Sequence, residues 1–335
     1  MKGKLFMRYV VYGAGGIGGV IGARLFASGA ETTLIARGEH GRVLRTKGLR
    51  LVAPDGSATL PIPTVEHPRA LDLDDQTVIM LCMKSQHTLQ ALEDLSLCAP
   101  TGIHVLCMQN GVANEPLALR FFANVYASVV VLPALFLRPG EVVTHADGAG
   151  AVLDTGCFPH GTNAVAETIA ADLTAAGFSA RPDAQVMRAK YGKLRVNLLN
   201  VLQAGLTDFN ASKPIQKMLR DEASACFTAA GIDCANRQEM AERRQGVFNM
   251  VDIPGYERTA GSSWQSLARG TGDIETEYLN GEICWLGRLH GVPTPANDAC
   301  VAMARALVRR DAGPGIFSSA ELLAQIEAAP AGSVG

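Results

Sequence analysis

The sequence predicts an α/β protein in two parts, a parallel sheet clothed in helices followed by an all-helical half. Three observations lead there. Short β-branched runs alternate with helical apolar spacing through the first half of the chain. The first run, Arg8-Tyr9-Val10-Val11, leads directly into Tyr12-Gly13-Ala14-Gly15-Gly16-Ile17-Gly18 and an apolar helix. From about Asp183 the strand runs stop, and long helical patterns continue to Glu327. The domains that follow are residues 7–182 and residues 183–328.

Strand, glycine turn and helix in that order are the mark of a Rossmann dinucleotide-binding unit. Gly13 permits the tight turn, Gly15 lets the backbone approach a pyrophosphate, and Gly18 lets the helix pack on the strand. Gly16 and Ile17 complete this set of cofactor-binding candidates. Glycines in any strand-to-helix turn produce the same letters, so the fingerprint acquires meaning only from its context. The second strand, Thr32 to Ala36, ends at Arg37, where the adenosine ribose of a cofactor should lie. No Asp or Glu occupies that stretch, and a guanidinium can pair with a 2′-phosphate, which reads as NADP over NAD. The competing reading is an exposed loop arginine.

Further strands are expected at Thr77 to Cys82, His104 to Met108 and Val125 to Val131, with helices at Ile17 to Ser28 and Thr88 to Leu97. Gly29 is placed to stop the first helix. An antiparallel insert is expected from Leu49 to Ala53, the turn Pro54-Asp55-Gly56 and Ala58 to Ile62. Arg138-Pro139-Gly140-Glu141 marks a second such turn, between Leu132 to Leu137 and Val142 to His145. In the helical half, Gly291 with Pro293 and Pro295 marks a break, and Gly313-Pro314-Gly315 sets off a last helix, Ser319 to Ala328. The end, Ala329 to Gly335, reads as frayed.

The chain of 335 residues is 48% hydrophobic and 19% charged, enough to build two cores. A net charge of -2 supplies no basic field for nucleic acid or for an anionic membrane. The eight cysteines, at 82, 98, 107, 157, 226, 234, 284 and 300, show no CxxC pair or metal-ligand spacing and read as reduced, mostly buried thiols. No metal is expected. Arg8 interrupts the apolar stretch after the basic start Met1 to Lys4, which argues against export and for a cytoplasmic protein.

Ligands of open α/β sheets sit beyond the carboxyl ends of the strands. Met83-Lys84-Ser85 and Gln109-Asn110-Gly111 follow two predicted strands, so Lys84 and Asn110 join the cofactor-side candidates. Each also has an ordinary reading, as a solvated lysine and a plain Asn-Gly turn. In the second half, Lys193, Asn197 and Asn200 fall at i, i+4 and i+7 on one helix face, with Lys190 in the same stripe. That stripe suits the wall of a polar cleft or a hydrated face. Ser262-Ser263 lies before the break Gly270-Thr271-Gly272, and Glu275 falls near a helix start, where acids are common.

Taken together these segments resemble the ketopantoate reductase family over nearly the whole chain. The resemblance implies NADPH-dependent reduction of 2-dehydropantoate to pantoate, on the route to pantothenate and coenzyme A. It also implies that the second domain is similar to that of 6-phosphogluconate dehydrogenases, with the active site in the cleft between domains. By position, Lys193 resembles the family's general acid, Asn197 a substrate-binding amide, and Ser263 and Glu275 groups that hold the substrate carboxylate and hydroxyl. Lys84 and Asn110 resemble its cofactor-side pair. Two departures bear on the substrate. Val201 stands where the family's second helical asparagine usually falls, with Asn200 one residue early, and Ser266 replaces an acid often found after the second serine. The loop after Gln86 shows no close match. The expected partner is a small 2-keto acid. Reduction of a different 2-keto acid and a non-catalytic NADP(H) sensor are the alternatives, and monomer and homodimer both remain open.

Overall fold

The computed structural model describes residues 5–258, 261–270, 272–310 and 313–328. The basic start at residues 1–4, Thr271 and the closing segment 329–335 lie outside the described residues. The chain divides into two compact units, Met1–Lys190 with Arg237–Arg258, and Tyr191–Asn236 with Thr259–Gly335.

The first unit begins with β1 (Arg8–Tyr12), α1 (Gly16–Ala27), β2 (Thr32–Ile35) and α2 (Gly38–Lys47). Then come β3 (Leu49–Ala53), β4 (Gly56–Leu60), β5 (Thr64–Val65) and β6 (Thr77–Leu81). Next are α3 (Thr88–Ser96), β7 (His104–Cys107), α4 (Asn114–Leu119) and β8 (Asn124–Val131). The short pair β9 (Ala134–Leu135) and β10 (Glu141–Thr144) precedes β11 (Val152–Cys157), α5 (Ala164–Ala175) and the start of α6 (Val186–Asn197).

The main sheet runs β11-β8-β7-β6-β1-β2-β5. Its pairs are parallel except β8 with β11. The strands are continuous apolar runs because both faces are covered. Tyr9 and Val11 enter the core beneath α1, whereas Val10 and Tyr12 enter the core on the α3 side. The chain leaves β1 toward β2 on one side and returns to β6 on the other, so the order reverses at β1. This is the switch point of a Rossmann fold, where the ends of β6, β1 and β2 stand side by side.

Both expected hairpins form, β3 with β4 and β9 with β10, and a parallel β3/β10 pair joins them into one small sheet. Strand β11 and helix α5 carry no signal in the sequence reading. Asp154, buried in β11, breaks the apolar pattern, and the structure shows why it is tolerated. Arg243 from the returning segment grips it bidentately at 2.6 Å through Nε and Nη2. That segment is fixed elsewhere by Arg188 to Glu239 at 2.7 Å and by the Tyr256 hydroxyl donating to Glu141 at 2.9 Å. Ile253 and Tyr256 cover Val52, Leu135 and Val143 of the small sheet.

The second unit continues with α7 (Asn200–Gly205) and α8 (Lys213–Ala229), and α9 (Arg237–Arg244) is the part of the chain that returns to the first unit. It resumes with α10 (Ser262–Ala268), α11 (Thr276–His290), α12 (Pro295–Arg309) and α13 (Ser319–Glu327). Gly291 ends α11 in the left-handed region at φ 68°, Pro295 opens α12, and Ser318 with Glu321 forms a capping box on α13. Helix α12 packs against α7, α8, α11 and α13. All eight cysteines are free thiols, four buried and four partly buried, so the expectation of mostly buried thiols holds for half of them. Among the described residues no helix is long and apolar enough to cross a membrane.

Candidate active site

The turn between β1 and α1 is built from backbone. Gly13 adopts φ 98°, and a Cβ there would stand 2.8 Å from the backbone nitrogen of Met83, so this turn is pressed against the one after β6. A Cβ on Gly18 would lie 2.2 Å from the Gly13 carbonyl oxygen and 2.8 Å from Cβ of Cys82. Gly16 has Ala134 as its neighbour, and Ile17 is half-buried against the core beneath α1. Gly15 is different: it is the N-cap of α1, and a Cβ added to it meets nothing within 4 Å. No side chain caps α1. Its first-turn amides therefore point toward open space at the switch point, a place that fits the pyrophosphate of a dinucleotide.

Arg37, the exposed N-cap of α2, stands at the end of β2 beside this turn. A residue overlooked in the sequence stands three positions later. His40 reaches back so that Nε2 lies 2.8 Å from the Ala14 carbonyl, and its Nδ1 accepts the Gly140 amide at 2.9 Å. With Nδ1 accepting, the ring is neutral and donates through Nε2. Burial holds its pKa below the usual histidine value. Nothing in the period or spacing of the sequence marks it, because both partners are distant backbone groups.

Lys84 is half-buried at the head of the short turn Ser85–His87, and Asn110 is half-buried before Gly111 at φ 77°. Buried side chains tie their two loops together. Gln109 donates to Thr88 at 2.7 Å, Thr88 to Asn114 at 2.8 Å, and Asn114 both to Ser85 at 3.0 Å and to the Asn110 carbonyl at 3.2 Å. Cys82, beside the glycine turn, has its thiol pushed up to about 12 by burial, so it is no nucleophile at neutral pH.

In the second unit the sequence stripe assumes one unbroken helix, and the structure corrects that. Helix α6 ends at Asn197 and α7 starts at Asn200, with Leu198 and Leu199 turning between them. The buried Asn280 amide donates to the Leu198 carbonyl at 3.2 Å and to Asn297 at 3.1 Å, and Asn297 donates to Glu222 at 2.7 Å. Glu222 also accepts the Ala296 and Asn297 amides at the start of α12; burial raises its pKa against those bonds. The break is thus held by an amide pair inside the bundle. The signal for Asn280 was available, since it lies on the apolar face of α11 between Thr276 and Ile283.

Asn197 is buried and Lys193, one turn earlier on α6, is half-buried. Asn200 instead opens α7 and faces the start of α10, where a Cβ on Gly261 would come 3.3 Å from its Oδ1. Ser263 is buried on α10, which packs on α7, and Ser266 is buried one turn later. Glu275 is the buried N-cap of α11 and makes no side-chain cap bond there. Lys190, readable as part of a hydrated face, is only 4% exposed, so that reading is corrected. Among the described residues no cluster of His, Cys, Asp and Glu is arranged to hold a metal ion.

Comparison with known proteins accords with this layout. The family model described as ketopantoate reductase PanE/ApbA matches residues 9–156, and its C-terminal counterpart matches residues 186–308. The 2-dehydropantoate 2-reductase of Halobacterium salinarum is 25% identical over 308 residues, covering 91% of this chain and 100% of that protein. A PanE/ApbA family ketopantoate reductase from Ralstonia eutropha is 26% identical with a TM-score of 0.73, over 91% of this chain and 99% of that one. D-mandelate dehydrogenase, solved with NADH and anilino(oxo)acetate, shares the fold at a TM-score of 0.77 and 22% identity, over 91% of this chain and 99% of that one.

Proposed function

The chain belongs to the ketopantoate reductase family, oxidoreductases on an NAD(P)-binding Rossmann fold, and from that premise we propose that it reduces ketopantoate to pantoate with NADPH. The observation that carries the proposal is a lysine one helical turn before a buried amide, Lys193 and Asn197 on α6, in a chain whose other unit offers an uncapped glycine turn.

Reduction of a ketone builds negative charge on its oxygen. The Lys193 ammonium stabilises that charge and delivers the proton that completes the alcohol. Asn197 and Asn200 orient the keto acid without adding charge, Ser263 donates to its carboxylate, and Glu275 accepts from its hydroxyl. On the cofactor side, Gly13, Gly15, Gly16, Ile17 and Gly18 receive the pyrophosphate, and Arg37 pairs with the 2′-phosphate. Lys84 and Asn110 hold the nicotinamide end. Bound NADPH supplies the hydride. The protein takes a small molecule as its partner, not nucleic acid or membrane.

A second reading, reduction of a different 2-keto acid, is favoured by one observation. Buried Val201 stands where the family's second helical asparagine usually falls, and Asn200, one residue early, faces the start of α10. Assay of NADPH and NADH oxidation with ketopantoate and a panel of aliphatic and aromatic 2-keto acids decides between the two. The highest kcat/KM with ketopantoate and NADPH is expected, a higher value with another 2-keto acid selects the second reading, and no turnover with any of them overturns both.

A further inference from the structure

Glu115 in α4 is fully buried, and among the described residues its Oε2 has no hydrogen-bond partner. What compensates it is the Lys190 ammonium, 2.5 Å from Oε1, on a side chain that is 3% exposed. A buried ion pair is poor value as a source of stability, because apolar residues of the same volume often do as well or better. Its position gives it another use. Lys190 Nζ also donates to the Gln109 carbonyl at 2.9 Å, one residue before Asn110. Asn114, the neighbour of Glu115, holds the next carbonyl, that of Asn110. Both peptide oxygens that set the direction of the Asn110 side chain are therefore held by buried side chains, and the same network ties them to the turn that follows Lys84.

We propose that Lys190, charge-balanced by Glu115, is a positioning residue that aims Asn110 at the nicotinamide half of the cofactor. This rests on the reading of Asn110 as a cofactor contact. The pair would act on binding of the nicotinamide ribose and leave the adenosine half untouched, since that half is met by the glycine turn and Arg37.

The test compares two ligands on three proteins, wild type, Lys190→Met/Glu115→Gln and Glu115→Gln, each titrated with NADPH and with 2′,5′-ADP, which carries only the adenosine half. The double variant removes both charges together and so avoids stranding one of them in the core. Its NADPH Kd is expected to rise about tenfold to a hundredfold, the worth of a hydrogen bond from a charged donor, with 2′,5′-ADP affinity and melting temperature close to wild type. Glu115→Gln keeps the bond to Gln109 but leaves the Lys190 charge unpaired, so its melting temperature is expected to fall while the folded protein holds NADPH within about threefold of wild type. Equal weakening of both ligands in the double variant, or no change in NADPH affinity, overturns the proposal. Loss in Glu115→Gln as large as in the double variant does so too. Should wild type bind neither ligand, the cofactor reading fails first, which sets that outcome apart from failure of the positioning role.

Discussion

Adding one methyl group at Gly15 and at Gly18 should produce opposite defects. Gly15→Ala places its Cβ where no protein atom lies within 4 Å, on a backbone at φ -70° that alanine adopts freely. Less conformational freedom in the unfolded chain offsets a weaker N-cap, so the melting temperature should stay within roughly 2 °C of wild type. The new methyl does occupy the space into which a pyrophosphate must come, and overpacking of about 1–3 kcal/mol weakens NADPH binding roughly 5- to 150-fold. Gly18→Ala drives its Cβ to 2.2 Å from a carbonyl oxygen, 2.8 Å from Cβ of Cys82 and 2.9 Å from Cγ1 of Val11. Two of those three atoms belong to rigid strand and turn, so α1 must lift from the sheet at a cost of about 3 kcal/mol and a fall in melting temperature of roughly 6–12 °C. Scanning calorimetry and isothermal titration with NADPH read both effects. Unchanged NADPH affinity in Gly15→Ala, or wild-type melting in Gly18→Ala, would show that the two glycines do not play these separate parts.

Other outcomes follow from the same geometry. Arg37→Ala should weaken NADPH about tenfold and leave NADH unchanged, since the arginine is exposed and its pairing is partly screened; kcat/KM for the two cofactors reads this. His40 is held neutral by burial, with a folded-state pKa below the usual 6.5, so the unfolded chain binds the extra proton first. Its contribution to stability is full above pH of about 6.5 and declines as pH falls from there toward the folded value. Melting of wild type against His40→Gln over that window should show the loss only in wild type. Asn280→Leu removes the donor to the Leu198 carbonyl inside the bundle and should destabilise the second unit by about 1–3 kcal/mol in a denaturant titration, with NADPH affinity unchanged.

Much of the first unit was legible because a parallel sheet covered on both faces writes itself as apolar runs, and because glycine at positions 13 and 18 answers to local geometry. The strands met in sequence as Arg8 to Tyr12 and Thr77 to Cys82 match β1 and β6 within a residue. What was illegible is non-local. Asp154 hides β11 until Arg243 arrives from 89 residues away, and α9, with no buried residue of its own, gives no apolar pattern that would assign it to the first unit. The break between Asn197 and Asn200 passes through Leu198 and Leu199, which look like unbroken helix, and is held by Asn280 from another helix. Lys190 could be read as solvated because its partner Glu115 lies in another part of the sequence, with no spacing rule to join them. For the candidate site, the residue types were readable from motif and resemblance, whereas the supporting residues His40 and Asn114 needed coordinates.

In the proposed function the Lys193 ammonium supplies the proton and charge stabilisation for reduction of a keto acid. The most direct test is steady-state turnover of Lys193→Ala beside its NADPH Kd. We expect kcat to fall roughly 10²- to 10⁴-fold while NADPH binds as in wild type. Full turnover in that variant contradicts this role for Lys193.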